Sequence, residues 1–232
     1  MKQRLKNRGS IGVSLRRFNP YYRWIFPWLL DRVSKVVARE REQLLAQAKG
    51  VVLEIGAGTG TSFACYGIEV NKLLALEPDV AVMRKAKTTL SRLPQSQSGK
   101  IEMLIADAMD IPLAENSCDT VVCFLVLCSV PDPKQVLNEI GRVLKPGGKL
   151  LFFEHVLADS EAIQRWQHRL NPYWHRCAGG CQLNRPTAEF IEQAGFQLDD
   201  YQRYQHHSFP ALVRQLITGS AVKNDKSAGS AL

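Results

Sequence analysis

An acidic residue and three alternating glycines, E-x-G-x-G-x-G, occupy residues 54–60, directly after the short apolar run 51–55. A glycine turn between a strand and a helix is typical of nucleotide sites, because glycine lets the backbone approach a ligand closely. A dinucleotide site needs the spacing G-x-G-x-x-G, and Thr61 and Phe63 stand where its last glycine would be. The turn therefore indicates a ligand without a pyrophosphate, and the acid before it suits a cationic group.

Two further acids follow the next two predicted strands. Glu77 ends the run 73–76, and Asp107 follows the run 101–105. The carboxyl ends of parallel strands meet at one edge of the sheet, where one carboxylate can accept two ribose hydroxyls and another an adenine amino group. Taken singly, each acid is equally well explained as a cap of a turn or helix. Together with Glu54 they predict a cationic adenosine ligand, and S-adenosylmethionine carries both an ammonium and a sulfonium.

Strands and helices alternate through the middle of the chain, which predicts a doubly wound α/β sheet. Helices are expected to begin at the cap Asp79 and at Pro131-Asp132-Pro133. Beyond residue 156 the pattern predicts a helix at 161–170, a loop at 171–186 and a helix at 187–194. The expected strands are 51–55, 73–76, 101–105, 120–126, 149–153, 197–204 and 213–222.

Composition favours one globular domain: 45% of the residues are apolar and 22% are charged. The net charge of +8 comes from residues 1–50, which hold twelve Lys and Arg against three acids. No apolar run is long enough to cross a bilayer, and six cysteines without a secreted spacing favour a cytoplasmic protein, with attachment to a membrane surface left open. We expect a flexible basic arm (1–17), an aromatic and amphipathic helical lid (18–50), a catalytic domain (51–223, with a substrate-side insertion at 158–186) and a disordered tail (224–232).

The segments LEIGAGTG, LALEPD, IADAMDIPLAENSCDTVV and GRVLKPGGKLLFFEH resemble the motifs of class I S-adenosylmethionine-dependent methyltransferases over about residues 48–156. The resemblance implies a Rossmann-like sheet of seven strands, mostly parallel with a reversed last strand. It places Glu54 and the glycines around the methionine part, Glu77 at the ribose and Asp107 at the adenine. The predicted cofactor-binding residues are Glu54, Gly56, Ala57, Gly58, Gly60, Glu77, Pro78, Asp107, Ala108 and Leu125.

A narrower resemblance runs through FLVLCSVPDP, FFEHV, GCQL and LVRQLITGSAVK. These segments are similar to the animal methyltransferase-like enzymes that S-methylate small alkyl thiols, and to their bacterial relatives. The resemblance implies a small, fairly apolar acceptor, with a thiol favoured over a lipid or quinone headgroup. Methylation of RNA is a weaker alternative, since residues 51–232 are near neutral in charge and lack an Asn-Pro-Pro-Tyr-like motif. Cofactor binding without catalysis is also a weaker alternative, since the methyltransferase motifs are intact. The animal enzymes begin with a hydrophobic anchor, whereas this chain begins with basic residues.

Candidates for the acceptor side follow the fourth and fifth predicted strands. His155 has the near-neutral pKa of a general base, although hydrogen bonding to a neighbouring loop is an equal alternative. Cys128 is better explained as a packing thiol than as a nucleophile, because methyl transfer needs no covalent intermediate. The predicted substrate-binding residues are Tyr22, Trp28, Cys128, Trp174 and Cys181. The set His168, His175, Cys177 and Cys181 matches no standard zinc spacing, so no metal is expected.

Six aromatic residues crowd positions 18–30, beside the basic residues of the arm. A hydrophobic lid over an apolar acceptor, attachment of residues 1–30 to a membrane surface and ordinary packing of an added helix all fit this composition. The sequence leaves these three interpretations open, together with the oligomeric state.

Overall fold

The structure is a computed structural model that describes residues 32–223. The basic arm, the aromatic segment with Tyr22 and Trp28, and the tail at 224–232 lie outside the described residues. The chain divides into two compact units, Met1–Ala38 and Arg39–Leu232. In the described part of the first unit, residues 32–36 are helical. The domain boundaries expected from the sequence stay predictions.

Seven strands of the second unit form one sheet in the order β3-β2-β1-β4-β5-β7-β6. Strand β7 is antiparallel to both of its neighbours, and the other four strand pairs are parallel. This confirms the predicted doubly wound sheet with a reversed last strand. The strands are β1 (Gly50–Ile55), β2 (Val70–Leu76), β3 (Ile101–Leu104), β4 (Cys118–Phe124), β5 (Leu144–His155), β6 (Phe196–Gln205) and β7 (Gln215–Lys223).

The helices begin where the sequence places capping residues. Asp79 accepts hydrogen bonds from the N–H groups of Ala81 and Val82, and Asp132 does the same at the helix that starts with Pro133. Both predicted caps are therefore confirmed. The helices are α1 (Ala38–Leu45), α2 (Val80–Leu90), α3 (Gln95–Ser98), α4 (Pro133–Val143), α5 (Glu161–Cys177) and α6 (Thr187–Gln193), with a 3-10 turn at Phe63–Cys65. Within the described residues no helix has the length and apolar character needed to span a bilayer.

The predicted loop at 171–186 is wrong in its first part, because α5 continues through Pro172 to Cys177. Its last turns are held by the chain that follows: the Asn171 side chain accepts the Leu183 N–H at 2.7 Å, and His175 Nδ1 lies 3.0 Å from the Gly180 carbonyl oxygen. These tertiary contacts outweigh the helix-breaking tendency of proline.

Most strand boundaries also differ from the prediction, by one or two residues except at the starts of β2 and β5. Strand β4 ends at Phe124 and not at residue 126, because Leu125 adopts a left-handed conformation with φ 57°. Strand β5 begins at Leu144, five residues before the predicted start at 149, and its register to β4 shifts between Cys118 and Thr120.

The core is thickest at β4 and β5, in the middle of the sheet. Val121, Val122 and Cys123 in β4, and the run 150–153 in β5, are completely buried. Strands covered on both faces by helices bury every side chain, and each large apolar one contributes about 1.5–3 kcal/mol. The carboxyl ends of these two strands are therefore rigid supports for the residues that follow them, 125–130 and His155.

Candidate active site

The glycine turn 56–60 is docked on the end of β2. The Ala57 N–H donates to the Leu76 carbonyl at 3.0 Å, and the Gly58 N–H donates to Glu77 Oε2 at 3.1 Å. Gly56 has φ 68°, and a Cβ there would lie 2.7 Å from Val126 Cγ2. Gly58 has φ 58°, but a Cβ there would meet nothing nearer than 3.8 Å. One glycine thus permits close packing, while the other leaves open space beside the turn.

Glu77 and Asp107 both accept hydrogen bonds from backbone N–H groups, in agreement with the interpretation of each acid as a cap. Glu77 Oε1 accepts the Asp79 N–H at 3.0 Å, and Asp107 Oδ1 accepts the Met109 N–H at 2.9 Å. Burial raises the pKa of Glu77, and its two backbone donors oppose this. A carboxylate has about four acceptor positions, so one N–H on each oxygen of Glu77 still leaves capacity for ligand hydroxyls. Glu77 follows β2, the neighbour of β1, and contacts the glycine turn, whereas Asp107 follows β3, one strand further along the sheet.

Glu54 is far less accessible than a residue facing an open crevice, since only 2% of its surface is exposed. Burial raises the pKa of its carboxyl to about 7, against the lowering effects of the Ser62 and Tyr66 hydroxyls and the charge of Arg41. Of the three acids, Glu54 is therefore the one whose charge depends most on its surroundings.

The loop that follows β4 is held by a buried carboxylate. Glu154 in β5 is fully buried; its Oε1 accepts the N–H groups of Val126 and Leu127, each at 2.8 Å, and its Oε2 accepts that of Cys128 at 3.1 Å. Burial raises the pKa of Glu154 well above its usual range, and the three N–H donors oppose this. Leu125, also predicted as a cofactor residue, begins this loop and donates its N–H to the Phe153 carbonyl at 2.7 Å.

The carbonyl groups of the same loop are held from the other side. Arg185, 8% exposed, donates from Nη1 to the Leu127 carbonyl and from Nη2 to the Val130 carbonyl at 2.6 Å. The Gln182 N–H donates to the Cys128 carbonyl at 2.8 Å. Residues 126–130 are therefore fixed through both their donors and their acceptors, and Cys128 lies between the two sets of contacts.

Three chemically active side chains meet at this place. A ring nitrogen of His155 and the sulfur atoms of Cys128 and Cys181 all lie within 4.8 Å of one another, with 3.6 Å between His155 Nδ1 and Cys181 Sγ. Hydrogen bonding between the two thiols raises the pKa of Cys128 and lowers that of Cys181, which the Trp174 indole lowers further. The structure thus brings together four residues that the sequence nominated for the acceptor side.

The central part of the chain, residues 53–152, matches a family model described as a methyltransferase domain. Thiol S-methyltransferase TMT1B of Rattus norvegicus is 34% identical over 214 residues, which cover 88% of this chain and 86% of the relative. The chain belongs to this methyltransferase family. Its methyl donor is S-adenosylmethionine, as in the class I enzymes.

Two further comparisons place this methyltransferase more broadly. Phosphatidylethanolamine N-methyltransferase of Cereibacter sphaeroides is 26% identical over 185 residues, covering 75% of the chain and 87% of the relative. A solved S-adenosylmethionine-dependent methyltransferase from Methanosarcina mazei superposes with a TM-score of 0.59 at 20% identity, over 77% of the chain and 94% of that structure. The latter likeness supports the fold alone.

The carboxyl edge of β1–β3 fits the methyl donor of this methyltransferase. The open space beside Gly58 would be filled by any side chain, and the Glu77 carboxylate beside it retains acceptor capacity for hydroxyl groups. Bound there, S-adenosylmethionine supplies a methyl group on a sulfonium, which leaves as the carbon–sulfur bond breaks.

Sequence reasoning missed the residues that shape the acceptor side of the methyltransferase. No role was predicted from the sequence for Glu154, Arg185 or Gln182. Their partners lie 26 to 58 residues away along the chain, and no local pattern reports such a pairing.

Proposed function

We propose that this methyltransferase transfers the methyl group of S-adenosylmethionine to the sulfur of a small, fairly apolar thiol. The similarity that carries the proposal covers 88% of the chain, whereas the general methyltransferase match ends at residue 152. It therefore extends into the part of the chain beyond β5, which supplies the acceptor side. Thiol chemistry agrees with the packing of two cysteine sulfurs and an imidazole at this place.

The donor is proposed to lie on the turns after β1, β2 and β3. Glu54 and the turn residues Gly56, Ala57, Gly58 and Gly60 surround its methionine part, Glu77 and Pro78 its ribose, and Asp107 and Ala108 its adenine. Leu125, at the start of the loop after β4, contacts it from the acceptor side. The open space at Gly58 and the remaining acceptor capacity of Glu77 support this arrangement.

The acceptor is proposed to bind at the carboxyl ends of β4 and β5, against Cys128, Trp174 and Cys181. Tyr22 and Trp28, also predicted to bind the acceptor, lie outside the described residues. A thiol has a pKa of about 8.5, so only modest help is needed to remove its proton. His155, 4% exposed and 3.6 Å from a cysteine sulfur, can take that proton as a general base.

A panel of acceptors tests the reaction. Transfer of a labelled methyl group from S-adenosylmethionine is measured to alkyl thiols, amines, quinols, phosphatidylethanolamine vesicles and RNA. We expect thioether products from the thiols, and less product at the same donor concentration from a control in which Glu77→Ala has weakened donor binding. Products formed only on the phospholipid amine, as the name of the Cereibacter relative suggests for that protein, or only on a quinol or RNA, would overturn the proposal.

We further propose that residues 1–30 contact the surface of an anionic membrane. Support comes from composition: positive charge concentrates in the first 50 residues, and six aromatic residues lie at positions 18–30. Flotation with anionic vesicles should recover the full chain at low salt and lose it at high salt. Replacing Lys2, Arg4, Lys6 and Arg8 with Gln should weaken recovery, and equal recovery of both proteins would contradict the proposal.

A further inference from the structure

Cys128, His155 and Cys181 come from three different elements and converge at the carboxyl ends of β4 and β5. Cys128 lies in the loop after β4, His155 ends β5, and Cys181 follows α5. Two thiols and one imidazole are the donors that Zn²⁺ prefers in proteins, and each offers one ligand atom within 4.8 Å of the others. The sequence did not reveal this set, because its members are separated by 26 or more residues.

The spacing of these atoms matches a tetrahedral metal ion. Zinc lies about 2.3 Å from sulfur and about 2.0–2.1 Å from imidazole nitrogen, so two ligands at the tetrahedral angle stand roughly 3.5–3.8 Å apart. The distance from His155 Nδ1 to Cys181 Sγ is 3.6 Å, and Cys128 Sγ is within 4.8 Å of both.

We propose that Cys128, His155 and Cys181 bind one zinc ion and leave its fourth position open. Within residues 32–223 no fourth His, Cys, Asp or Glu joins the group. Three protein ligands with an open position are typical of catalytic zinc, whereas structural sites have four. From the sequence we expected no metal, because the set considered was His168, His175, Cys177 and Cys181. Only Cys181 of that set belongs to the proposed zinc site: His168 Nδ1 lies 2.9 Å from Asn184, and Cys177 is exposed.

The surroundings fix the backbone at two of the three ligands. The N–H of Cys128 is bound by Glu154, and its carbonyl by the N–H of Gln182, next to Cys181. His155 is fixed by its place at the end of β5. Cys128 and His155 are 2% and 4% exposed, and two thiolates with a neutral imidazole cancel the charge of Zn²⁺, which suits a buried site.

The open position gives the metal a role that rests on the proposed function. A thiol acceptor would give its proton to water and coordinate through sulfur as a thiolate. A lone pair of that sulfur then forms the bond to the methyl carbon as the carbon–sulfonium bond breaks, leaving a thioether and the neutral sulfide of the donor. His155 serves in this scheme as a metal ligand and not as the general base.

Metal content tests the site without reference to activity. The full chain, purified without chelator and supplied with Zn²⁺, is expected to retain about one zinc per molecule by mass spectrometry. Co²⁺ in its place should give the absorption of thiolate-to-cobalt charge transfer. Cys181→Ser and His155→Asn should each lower zinc affinity about tenfold or more, while Cys177→Ser, four residues from Cys181 and exposed, should leave it unchanged. Calorimetry with S-adenosylmethionine reports whether each variant is folded.

Three outcomes would overturn the site: a folded wild-type chain that retains no zinc and shows no cobalt band, equal losses in Cys177→Ser and Cys181→Ser, or a disulfide between Cys128 and Cys181 in the purified protein. Acceptor tests separate the site from the proposed function. Unchanged thiol methylation after metal removal refutes the metal's role and leaves the thiol acceptor standing. Zinc binding with methylation only of amines or quinols supports the site and refutes the thiol acceptor.

Discussion

The two halves of the carboxyl edge of the sheet, which we propose bind the methyl donor and the acceptor, are built by different means. On the donor half, after β1–β3, the contacts are backbone to backbone or to a nearby carboxylate: Glu77 binds Gly58, 19 residues away, and Asp107 binds Met109, two residues away. On the acceptor half, after β4 and β5, buried side chains bind backbone 26 to 58 residues distant, as Glu154 and Arg185 do.

Because of this difference, substitutions on the proposed donor half should mainly change ligand binding, whereas substitutions on the proposed acceptor half should also change the stability of the fold. Asp107 is exposed and Glu77 half-buried, so a change at either should alter ligand binding with little effect on folding. Glu154 and Arg185 are buried and hold the same loop, so a change there should unfold the protein and misplace the acceptor together. Glu54 is the exception on the donor half, because it is buried and its charge responds to pH.

Glu154→Gln should have the largest effect, a loss of about 3 kcal/mol in the free energy of unfolding. One carboxylate oxygen becomes an NH2 donor that faces the donor N–H groups of the loop. Urea unfolding at pH 7 measures the loss. The control is Glu161→Gln in the exposed first turn of α5, expected within about 0.5 kcal/mol of wild type; equal effects of the two changes would remove the contrast between the halves.

Glu54→Gln should change how stability depends on pH. The folded pKa of Glu54 is about 7, against an ordinary value of 4.5. Because the folded value is raised, the stability that this group contributes is complete below pH 4.5 and is lost as the pH rises to 7, by about 3 kcal/mol. The free energy of unfolding of the variant, relative to wild type, should therefore rise by about that amount across this window. A difference that stays constant with pH would contradict the burial effect.

Glu77→Ala should weaken S-adenosylmethionine binding by about 1–3 kcal/mol, because the variant loses the proposed acceptor of the ribose hydroxyls. Stability should fall by less than it does in Glu154→Gln. Calorimetry gives the dissociation constant. Glu69→Ala, at the other end of β2 and exposed, is the matched control; if both variants bind the donor like wild type, the assignment of Glu77 is wrong.

Asp107→Asn should have the smallest effect, about 0.5–1 kcal/mol in donor binding. Asparagine keeps an oxygen for the Met109 N–H, so the turn is preserved while the charged acceptor for the adenine amino group is lost. The same calorimetry, repeated with a donor analogue that lacks this amino group, should show no difference between wild type and variant. If wild type and variant still differ in their affinity for the analogue, Asp107 does not act on the adenine amino group.

The sequence by itself predicted the α/β sheet and nominated the residues of the proposed donor half. The signals used were glycines at alternating positions, acids at strand ends and capping residues such as Asp79 and Asp132. Most of these residues act on neighbours a few residues away, so they can be interpreted without knowing the fold. The α/β class and the positions of both caps followed from these signals, the resemblance of the motifs supplied the reversed last strand, and the strand order came from the structure. Local signals were less reliable where tertiary contacts compete, as the helix through Pro172 shows.

Only the tertiary structure decided the acceptor half. The sequence suggested His168, His175, Cys177 and Cys181 as a possible metal set, and their spacing argued against it. In the fold, Cys181 lies near Cys128 and His155 instead. Glu154 and His155 are adjacent in sequence, yet one holds a loop and the other joins the cysteines. Such roles depend on which buried backbone N–H and C=O groups still lack a hydrogen-bond partner after the helices and strands have packed. These groups are far away along the chain, so only the folded structure identifies them.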